Sequence, residues 1–477
     1  MPSEIRFGTD GWRGIVADDF TFENVRAVAQ ATAQYLKRQN RAADGIVIGY
    51  DTRFLSGSFA GAVAEVMAAN DIQVALTSSF IPTPALSSAV ISRKAGAGVM
   101  ITASHNPARW NGYKFKPHYG GSAPAEVTAE IEQAIPGILT GDRVEHMPLG
   151  NAEAQGIVER FDARTPYLKR LREFVDIEAI HEAGLNVLVD SMYGSAQGLF
   201  ADALGEGATH VTEIHGHRNP SFPGIRAPEP IAHNLREQLD LLSQGGYDIG
   251  LSTDGDGDRF GLADEQGRFI TQLQTFALLV HYTLEVRGER GPIVRSVTMT
   301  RMIDRLGELY GCEVHETPVG FRHLGPKMME TDAIIAGEES GGSAFRGHIP
   351  ERDGVLAGLM MLDWVAKTGK RPAVLLEELV EKVGRHEYGR VDITVRSDER
   401  ESIIERVAAA EPSDVAGLRV ESRDTTDGFR FNLEDGWWLA LRFSGTEPLL
   451  RIYAEMPSND LVEQALVAGQ GIAGVEL

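Results

Sequence analysis

Cysteine is almost absent from this chain: Cys312 stands alone among 477 residues. No intrachain disulfide can form, and a reducing, cytoplasmic setting is expected. No run reaches the roughly 18 consecutive apolar residues that a membrane helix needs, so no spanning segment is expected. The opening MPSEIRFGTDGW lacks the basic, apolar and small-residue order of a secretory leader, and none is expected. Positive charge is also scarce: 46 Lys and Arg stand against 68 Asp and Glu, a net charge of -22. That balance argues against a nucleic-acid or anionic-membrane partner. It also constrains any anionic substrate, whose site must be locally basic or carry a metal. Inspection finds neither an internal repeat nor a low-complexity linker.

What remains is the composition of a soluble globular protein, 43% hydrophobic and 24% charged. The length allows about three or four domains. From 1 to 150, apolar strand patterns alternate with helical ones. GIVIGYDTR (Gly45–Arg53) reads as a buried strand, and Phe22–Gln39 shows helical spacing with Thr21 as a cap. From 151 to 265, Gly184–Phe200 reads as strand, turn and helix, and a Pro- and Gly-rich loop leads to another strand before Asp254. From 266 to 383, a helix is expected over Thr271–Val286, with strands at Pro292–Ser296 and Asp332–Ala336. From 384 to 477, GRVDITV and WWLALRFSGTEPLLRIYAE alternate like half-buried strands. The first three units predict an α/β fold, and the fourth a smaller α+β domain.

The strongest chemical signal is STDGDGDRFG, where Asp254, Asp256 and Asp258 alternate with glycines between two short strands. Three carboxylates on a tight loop suit a hard divalent cation. A calcium EF-hand is disfavoured, because Arg259 falls where that loop needs glycine. The second signal is TASHNP, with Ser104 beside His105 after an apolar run. No Gly-x-Ser-x-Gly elbow surrounds it, which argues against an α/β-hydrolase. A serine that carries a phosphoryl group instead needs cations nearby, and Arg109, Lys114 and Lys116 follow in sequence.

Three further stretches complete the set. RFSGTEPLLR offers Ser444, Gly445 and Thr446 as a phosphate cradle between Arg442 and Arg451. AGEESGGSAFRGHIPERDG places Glu338, Glu339 and Ser340 on a bendable loop suited to sugar hydroxyls. FGTDGWRG sets Arg13 between Trp12 and Gly14. The tail GQGIAG matches a dinucleotide fingerprint only in letters, since no βαβ unit follows it.

Together, in this order, these motifs resemble the α-D-phosphohexomutase family across essentially the whole chain. The resemblance implies three related α/β domains with mixed sheets, and a smaller C-terminal α+β domain, around a central cleft. It makes Ser104 the phosphoserine. It makes Asp254, Asp256 and Asp258 magnesium ligands, with the Ser104 phosphate as another. Glu338 and Ser340 would meet sugar hydroxyls, and Arg442, Ser444, Gly445, Thr446 and Arg451 the distal phosphate. Arg13 would hold the active-site phosphate, and Arg259 counts among the catalytic residues. Asn111-Gly112-Tyr113-Lys114 matches the family's Asn-Gly-x-Lys, which makes Lys114 the first candidate to take a proton and His105 the second.

The activity implied is interconversion of hexose 1-phosphates and hexose 6-phosphates through a hexose 1,6-bisphosphate. Mg2+ is the expected cofactor, and glucose 1,6-bisphosphate the expected activator. The partner is a small-molecule hexose phosphate. The glutamate pair at 338–339 resembles the glucose-type loop, which favours phosphoglucomutase over phosphomannomutase or phosphoglucosamine mutase. Outside this class stand a phosphatase and an inactive phosphosugar-binding regulator. One departure is Arg322, where many relatives have Val-Gly-Phe-Lys; arginine keeps the charge but not the geometry.

Overall fold

The computed structural model describes residues 5–141, 144–396, 398–443 and 449–475. The first sheet holds β1 (Phe7–Gly8), β2 (Gly11–Ile15), β3 (Ile46–Tyr50), β4 (Val74–Thr77), β5 (Ala97–Ile101), β6 (Trp110–Pro117) and β7 (Val158–Phe161), in the order β1-β2-β6-β5-β3-β4-β7. Its central strands are apolar on both faces because helices cover both sides. One of these is Phe22–Arg38. Thr21 caps it by accepting the Asn24 N–H at 3.2 Å, and Val25, Val28, Ala29 and Leu36 form its buried stripe.

The second sheet holds β8 (Asn186–Asp190), β9 (His210–Ile214), β10 (Ile249–Thr253), β11 (Phe260–Ala263) and β12 (Phe269–Ile270), in the order β12-β11-β10-β8-β9. The third holds β13 (Ile293–Ser296), β14 (Val314–Thr317), β15 (Ile335–Glu338) and β16 (Gly342–Phe345), in the order β14-β13-β15-β16. The fourth is antiparallel where neighbours pair. It holds β17 (Glu387–Thr394), β18 (Asp414–Val415), β19 (Leu418–Asp424), β20 (Phe429–Leu433), β21 (Trp438–Phe443) and β22 (Leu449–Met456).

A repeat invisible to inspection of the sequence emerges here. Four strands recur in one arrangement in the first three sheets: β6-β5-β3-β4, β11-β10-β8-β9 and β16-β15-β13-β14. In each set three strands run parallel and the last returns antiparallel beside the third. The loop between the third and fourth strands carries Ser104 in the first set, the three aspartates in the second, and Glu339 and Ser340 in the third. Carboxyl ends of parallel strands are where such folds bind ligands. Repeated topology therefore aims three different chemistries at one place.

Two short strands lie beyond the expected domain boundaries. Strand β7 pairs with β4, so the first sheet reaches past 150 to Phe161. Strand β12 pairs with β11, so the second sheet reaches past 265 to Ile270. Both are short outlying strands whose pairing depends on tertiary contact. The helix expected from Thr271 begins there with a capping box to Gln274, runs Gln272–His281, and widens into a π-turn to Val286. The strand expected at Asp332–Ala336 lies at Ile335–Glu338. The GQGIAG tail sits on the helix Asn459–Ala473. No helix among the described residues is long and apolar enough to cross a membrane.

One large apolar core runs through the second and third domains and one face of the first sheet, and the first domain has a further core of its own. The fourth domain's core is separate. Polar contacts tie that domain to the third: Arg430 grips Glu316 at 2.7 Å to each oxygen, and Glu339 accepts from Tyr388 and Arg390 at 2.9 and 3.0 Å.

Candidate active site

Ser104 follows β5 with a φ of +49°, a left-handed conformation that costs a non-glycine residue about 1 kcal/mol or more. Arg53 holds it there. This buried guanidinium donates to the carbonyl oxygens of Ser104 and Asn106 at 2.6 and 2.5 Å. It also donates to those of Pro107 and Trp110 at 3.0 and 3.1 Å, and pairs with Asp51 at 3.2 Å. Arg13 on β2 donates to Asn106 Oδ1 at 2.6 Å. The loop is thus tied by two arginines from neighbouring segments.

The Ser104 hydroxyl donates to Asp254 Oδ2 at 2.8 Å. The other oxygen of Asp254 accepts the backbone N–H groups of Asp258 and Arg259 at 3.0 and 3.1 Å, which curls the loop around the carboxylate. A Cβ on Gly255 would lie 2.5 Å from the Ser104 carbonyl oxygen, so glycine there is what lets the two loops touch. Ligand oxygens of Asp254, Asp256 and Asp258 lie within 4.8 Å of one another, and all three residues are buried.

This cluster fits a hard divalent cation. Burial, then Asp256 and Asp258, push Asp254 well above the usual carboxylate range. Burial likewise raises Asp258, against Arg352 and Lys114. Burial would raise Asp256 too, but Lys114 outweighs it and holds that carboxyl low. Oδ1 of Asp256 and Oδ1 of Asp258 are buried without a hydrogen-bond partner. Oxygen-only donors, two of them unsatisfied, suit Mg2+.

Lys114 on β6 reaches Asp10 and Asp256 at 2.7 Å and Asp258 at 3.0 Å. Burial alone would depress its pKa, but these carboxylates together push it up. The ammonium has no lone pair, so Lys114 becomes a base only after losing its proton. His105 Nδ1 lies 3.4 Å from Ser104 Oγ. Burial, joined by Arg259, Arg13 and Lys114, holds His105 well below the ordinary histidine range, and the imidazole is neutral at pH 7. Arg259 pairs with Glu229 at 3.0 Å. Lys116 pairs with Glu351 and lies 3.7 Å from Asp10, and Arg109 is exposed, so of that trio only Lys114 reaches the three aspartates.

Glu338 accepts from Ser340 at 2.7 Å and from Arg352 at 3.0 Å. Arg352 is the junction of three domains: it also reaches Asp10 at 2.5 Å and Asp258 at 2.9 Å. In the fourth domain, Arg442 and Arg451 sit directly opposite on β21 and β22. Like charges in that register repel, which an anion between them would relieve. Arg442 pairs with Asp427 at 2.8 Å, and Arg451 lies 3.7 Å from Asp392. Ser444, Gly445 and Thr446 lie outside the described residues. Arg322 contacts His323 at 3.1 Å.

Asp10, Arg53 and Arg352 are the contributors that motif reading passed over. Each stands in or beside a stretch that does draw attention: Asp10 in FGTDGWRG, Arg53 at the end of a buried strand, Arg352 shortly after the Glu338 loop. Charge next to buried backbone was the available signal.

His105 has no carboxylate partner among the described residues, so no acyl-transfer relay forms. A buried serine against an acid cluster that could hold a cation is instead the arrangement that metal-assisted phosphoryl transfer uses. Comparison with known proteins agrees. The phosphoglucomutase/phosphomannomutase alpha/beta/alpha domains I, II and III match residues 4–140, 165–267 and 272–383, and the C-terminal domain matches 396–468. A phosphoglucomutase/phosphomannomutase of Thermococcus kodakarensis is 31% identical, covering 97% of both chains. A phosphoglucosamine mutase of Carboxydothermus hydrogenoformans is 30% identical, over 96% of this chain and 97% of its own. A crystal structure of a Thermus thermophilus protein assigned as a phosphomannomutase superposes with a TM-score of 0.86 at 33% identity, covering 99% of this chain and 100% of that one. The chain belongs to the α-D-phosphohexomutase family. It is a phosphohexomutase, an enzyme of the phosphoryl-transferring mutase class, and the family is Mg2+-dependent.

Proposed function

We propose that this enzyme interconverts hexose 1-phosphates and hexose 6-phosphates through phospho-Ser104, with glucose phosphates preferred. The observation that carries the reading is Ser104 Oγ at 2.8 Å from Asp254, within a triad of buried carboxylates. In the first step the Oγ–P bond breaks and a bond forms from phosphorus to the free sugar hydroxyl. The hydroxyl proton passes to a base. The resulting hexose 1,6-bisphosphate turns over in the cleft; the bond from its other phosphorus to the sugar oxygen breaks as one forms to Ser104 Oγ, and the base returns the proton to that sugar oxygen. Asp254, Asp256 and Asp258 would hold Mg2+, which when bound neutralises charge on the transferring group.

Lys114 and His105 are the two candidate proton acceptors; the first must lose a proton before it serves, and the second is already neutral. Arg13 and Arg259 would steady the phosphoryl oxygens beside them. Glu338 and Ser340 would orient the sugar. Arg442 and Arg451, with Ser444, Gly445 and Thr446, would grip the phosphate that does not react. A fourth domain with its own core and a polar seam is suited to move as a body onto bound substrate and exclude water. Glucose 1,6-bisphosphate would prime Ser104.

The glucose preference rests on the Glu338-Glu339-Ser340 loop, while the relatives' names span glucose, mannose and glucosamine. The test is kcat/KM for glucose, mannose and glucosamine 1-phosphates, with Mg2+ and a trace of glucose 1,6-bisphosphate. Ser104→Ala is the control. Highest turnover of glucose 1-phosphate, lost in the control, is expected. A different preferred sugar keeps the phosphoserine route and overturns the loop argument.

A further inference from the structure

Away from Ser104, the seam between the first and third domains contains a cavity of about 500 Å3. Cavities of roughly 300–1,000 Å3 with apolar walls and a few placed polar groups are suited to small molecules. Ile91, Met328 and Met329 line this one, with the ring of Tyr119. Ile91 and Met329 are among the chain's few well-exposed large apolar side chains, at 39% and 46% exposure. Their exposure converges on one concave place instead of being scattered.

The charge of the lining is opposite to that of the molecule. Arg41, Lys94 and Arg346 border the cavity, and Asp332 is the one acid among the lining residues. Asp332 lies 3.6 Å from Arg346, which also pairs with Glu289 at 3.4 Å, and Arg41 pairs with Asp44. Lys94 has no acidic partner among the described residues. It also holds a left-handed φ of +53° just past the end of the helix Thr83–Ser92, a position where glycine is the usual occupant. In a protein with a net charge of -22, an unpaired lysine beside an apolar hollow favours an anion.

Both walls run straight into the active site. On the first-domain side, His118 and Tyr119 follow Lys116, whose ammonium pairs with Glu351. On the third-domain side, residues 346–350 lead into Glu351 and Arg352. Ser122 donates to Glu351 Oε2 at 2.6 Å, and Tyr119 donates to the Ser122 carbonyl oxygen at 3.1 Å. The backbones nearly touch, since a Cβ on Gly121 would lie 2.9 Å from the Pro350 carbonyl oxygen. Anything that parts or clamps these walls bears on the Lys116–Glu351 joint. The next residue, Arg352, contacts Asp258 and Glu338.

We propose that this cavity binds an amphipathic organic anion, an apolar body bearing a carboxylate, sulfonate or phosphate, and that its occupancy modulates turnover through the Lys116–Glu351 joint. The regulatory half rests on the mutase reading; the binding half does not.

The probe is the dye 8-anilinonaphthalene-1-sulfonate, titrated into the full chain and followed by fluorescence. Saturation at one dye per chain is expected. Met329→Glu and Lys94→Glu, both exposed positions, should each weaken binding at least tenfold without shifting the thermal midpoint. Leu309→Glu, at an exposed apolar residue outside this cavity, should leave it unchanged. Equal affinity in all four proteins, equal loss in the Leu309 variant, or no saturation overturns the site. Bound dye should change kcat at least threefold in wild type and not in Met329→Glu. Site-specific binding without that change overturns the coupling. The fluorescence result stands whatever sugar, if any, the enzyme turns over.

Discussion

The guanidinium of Arg53 and the carbonyl oxygen of Ser104 are joined at 2.6 Å, and both residues are buried. Four carbonyl groups of one loop converge on this single side chain. Arginine's planar fork suits such a task, and lysine's point charge does not. Arg53→Lys is expected to keep the fold but lower kcat by about 100-fold, the scale of a 1 Å misplacement. Arg53→Ala leaves Asp51 buried and unpaired, a loss of about 3–5 kcal/mol. Steady-state kinetics and thermal melts check the pair. Wild-type kcat in Arg53→Lys would refute the positioning role.

Ser104→Ala removes the acceptor oxygen itself. Incubation with glucose 1,6-bisphosphate should add one phosphoryl group to wild type and none to the variant, read by intact-protein mass. The variant also loses a hydrogen bond to a buried carboxylate, and such bonds contribute about 1.5–3 kcal/mol. Phosphoryl uptake by the variant would place the acceptor elsewhere.

Removing divalent metal with a chelator should abolish turnover, and Mg2+ should restore it. Because the carboxylates repel one another without a cation, Mg2+ should also stabilise the fold, by about 2.7 kcal/mol at a hundredfold excess over Kd. Asp256→Asn should lose most of that thermal shift. An undiminished shift in Asp256→Asn would place the ion elsewhere.

Glu316 sets a pH limit on the seat of the fourth domain. Burial would raise this carboxyl, but Arg430 and Arg295 outweigh it and hold the pKa at about 2, against 4.5 ordinarily. A depressed carboxylate stabilises the fold fully above its unfolded pKa. That stability, on the order of 3 kcal/mol, is lost as pH falls from about 4.5 toward 2. Glu316→Gln should therefore be less stable than wild type at pH 7, and the gap should close below pH 4. Denaturant melts across that range decide it, and a gap independent of pH would exclude the ion-pair account.

Arg442 and Arg451, facing each other across β21 and β22, make a kinetic prediction. Arg442→Ala should raise KM for hexose phosphate at least tenfold, about 1.4 kcal/mol, with a smaller change in kcat, as for a group that grips substrate throughout. An unchanged KM would take this arginine out of the phosphate grip.

Much of the site was legible in linear form because its loops are short. Asp254, Asp256 and Asp258 are two residues apart, so one tight turn gathers them, and no distant contact is needed to see the cluster. Ser104 and His105 are adjacent, and Glu338 and Ser340 nearly so. Arg53 was not legible in this way. Its four acceptors are backbone oxygens some fifty residues on, and backbone acceptors leave no mark in residue identity. Arg352 was hidden for a related reason. Asp10 lies 342 residues away from it, and nothing local ties the two.

The sequence by itself determined the alternation of strand and helix, the caps, the apolar stripes and the local acid cluster, because each depends on neighbours within a few residues. Only the tertiary structure decided the threefold recurrence of one sheet topology, the outlying strands β7 and β12, and the reach of Arg352 across three domains. It also decided that Lys114 sits charged between Asp10, Asp256 and Asp258, whereas Lys116 turns to Glu351. Alternation along β6 puts both lysines on one face of the strand. Which carboxylates they meet is set by how the other domains pack onto that face.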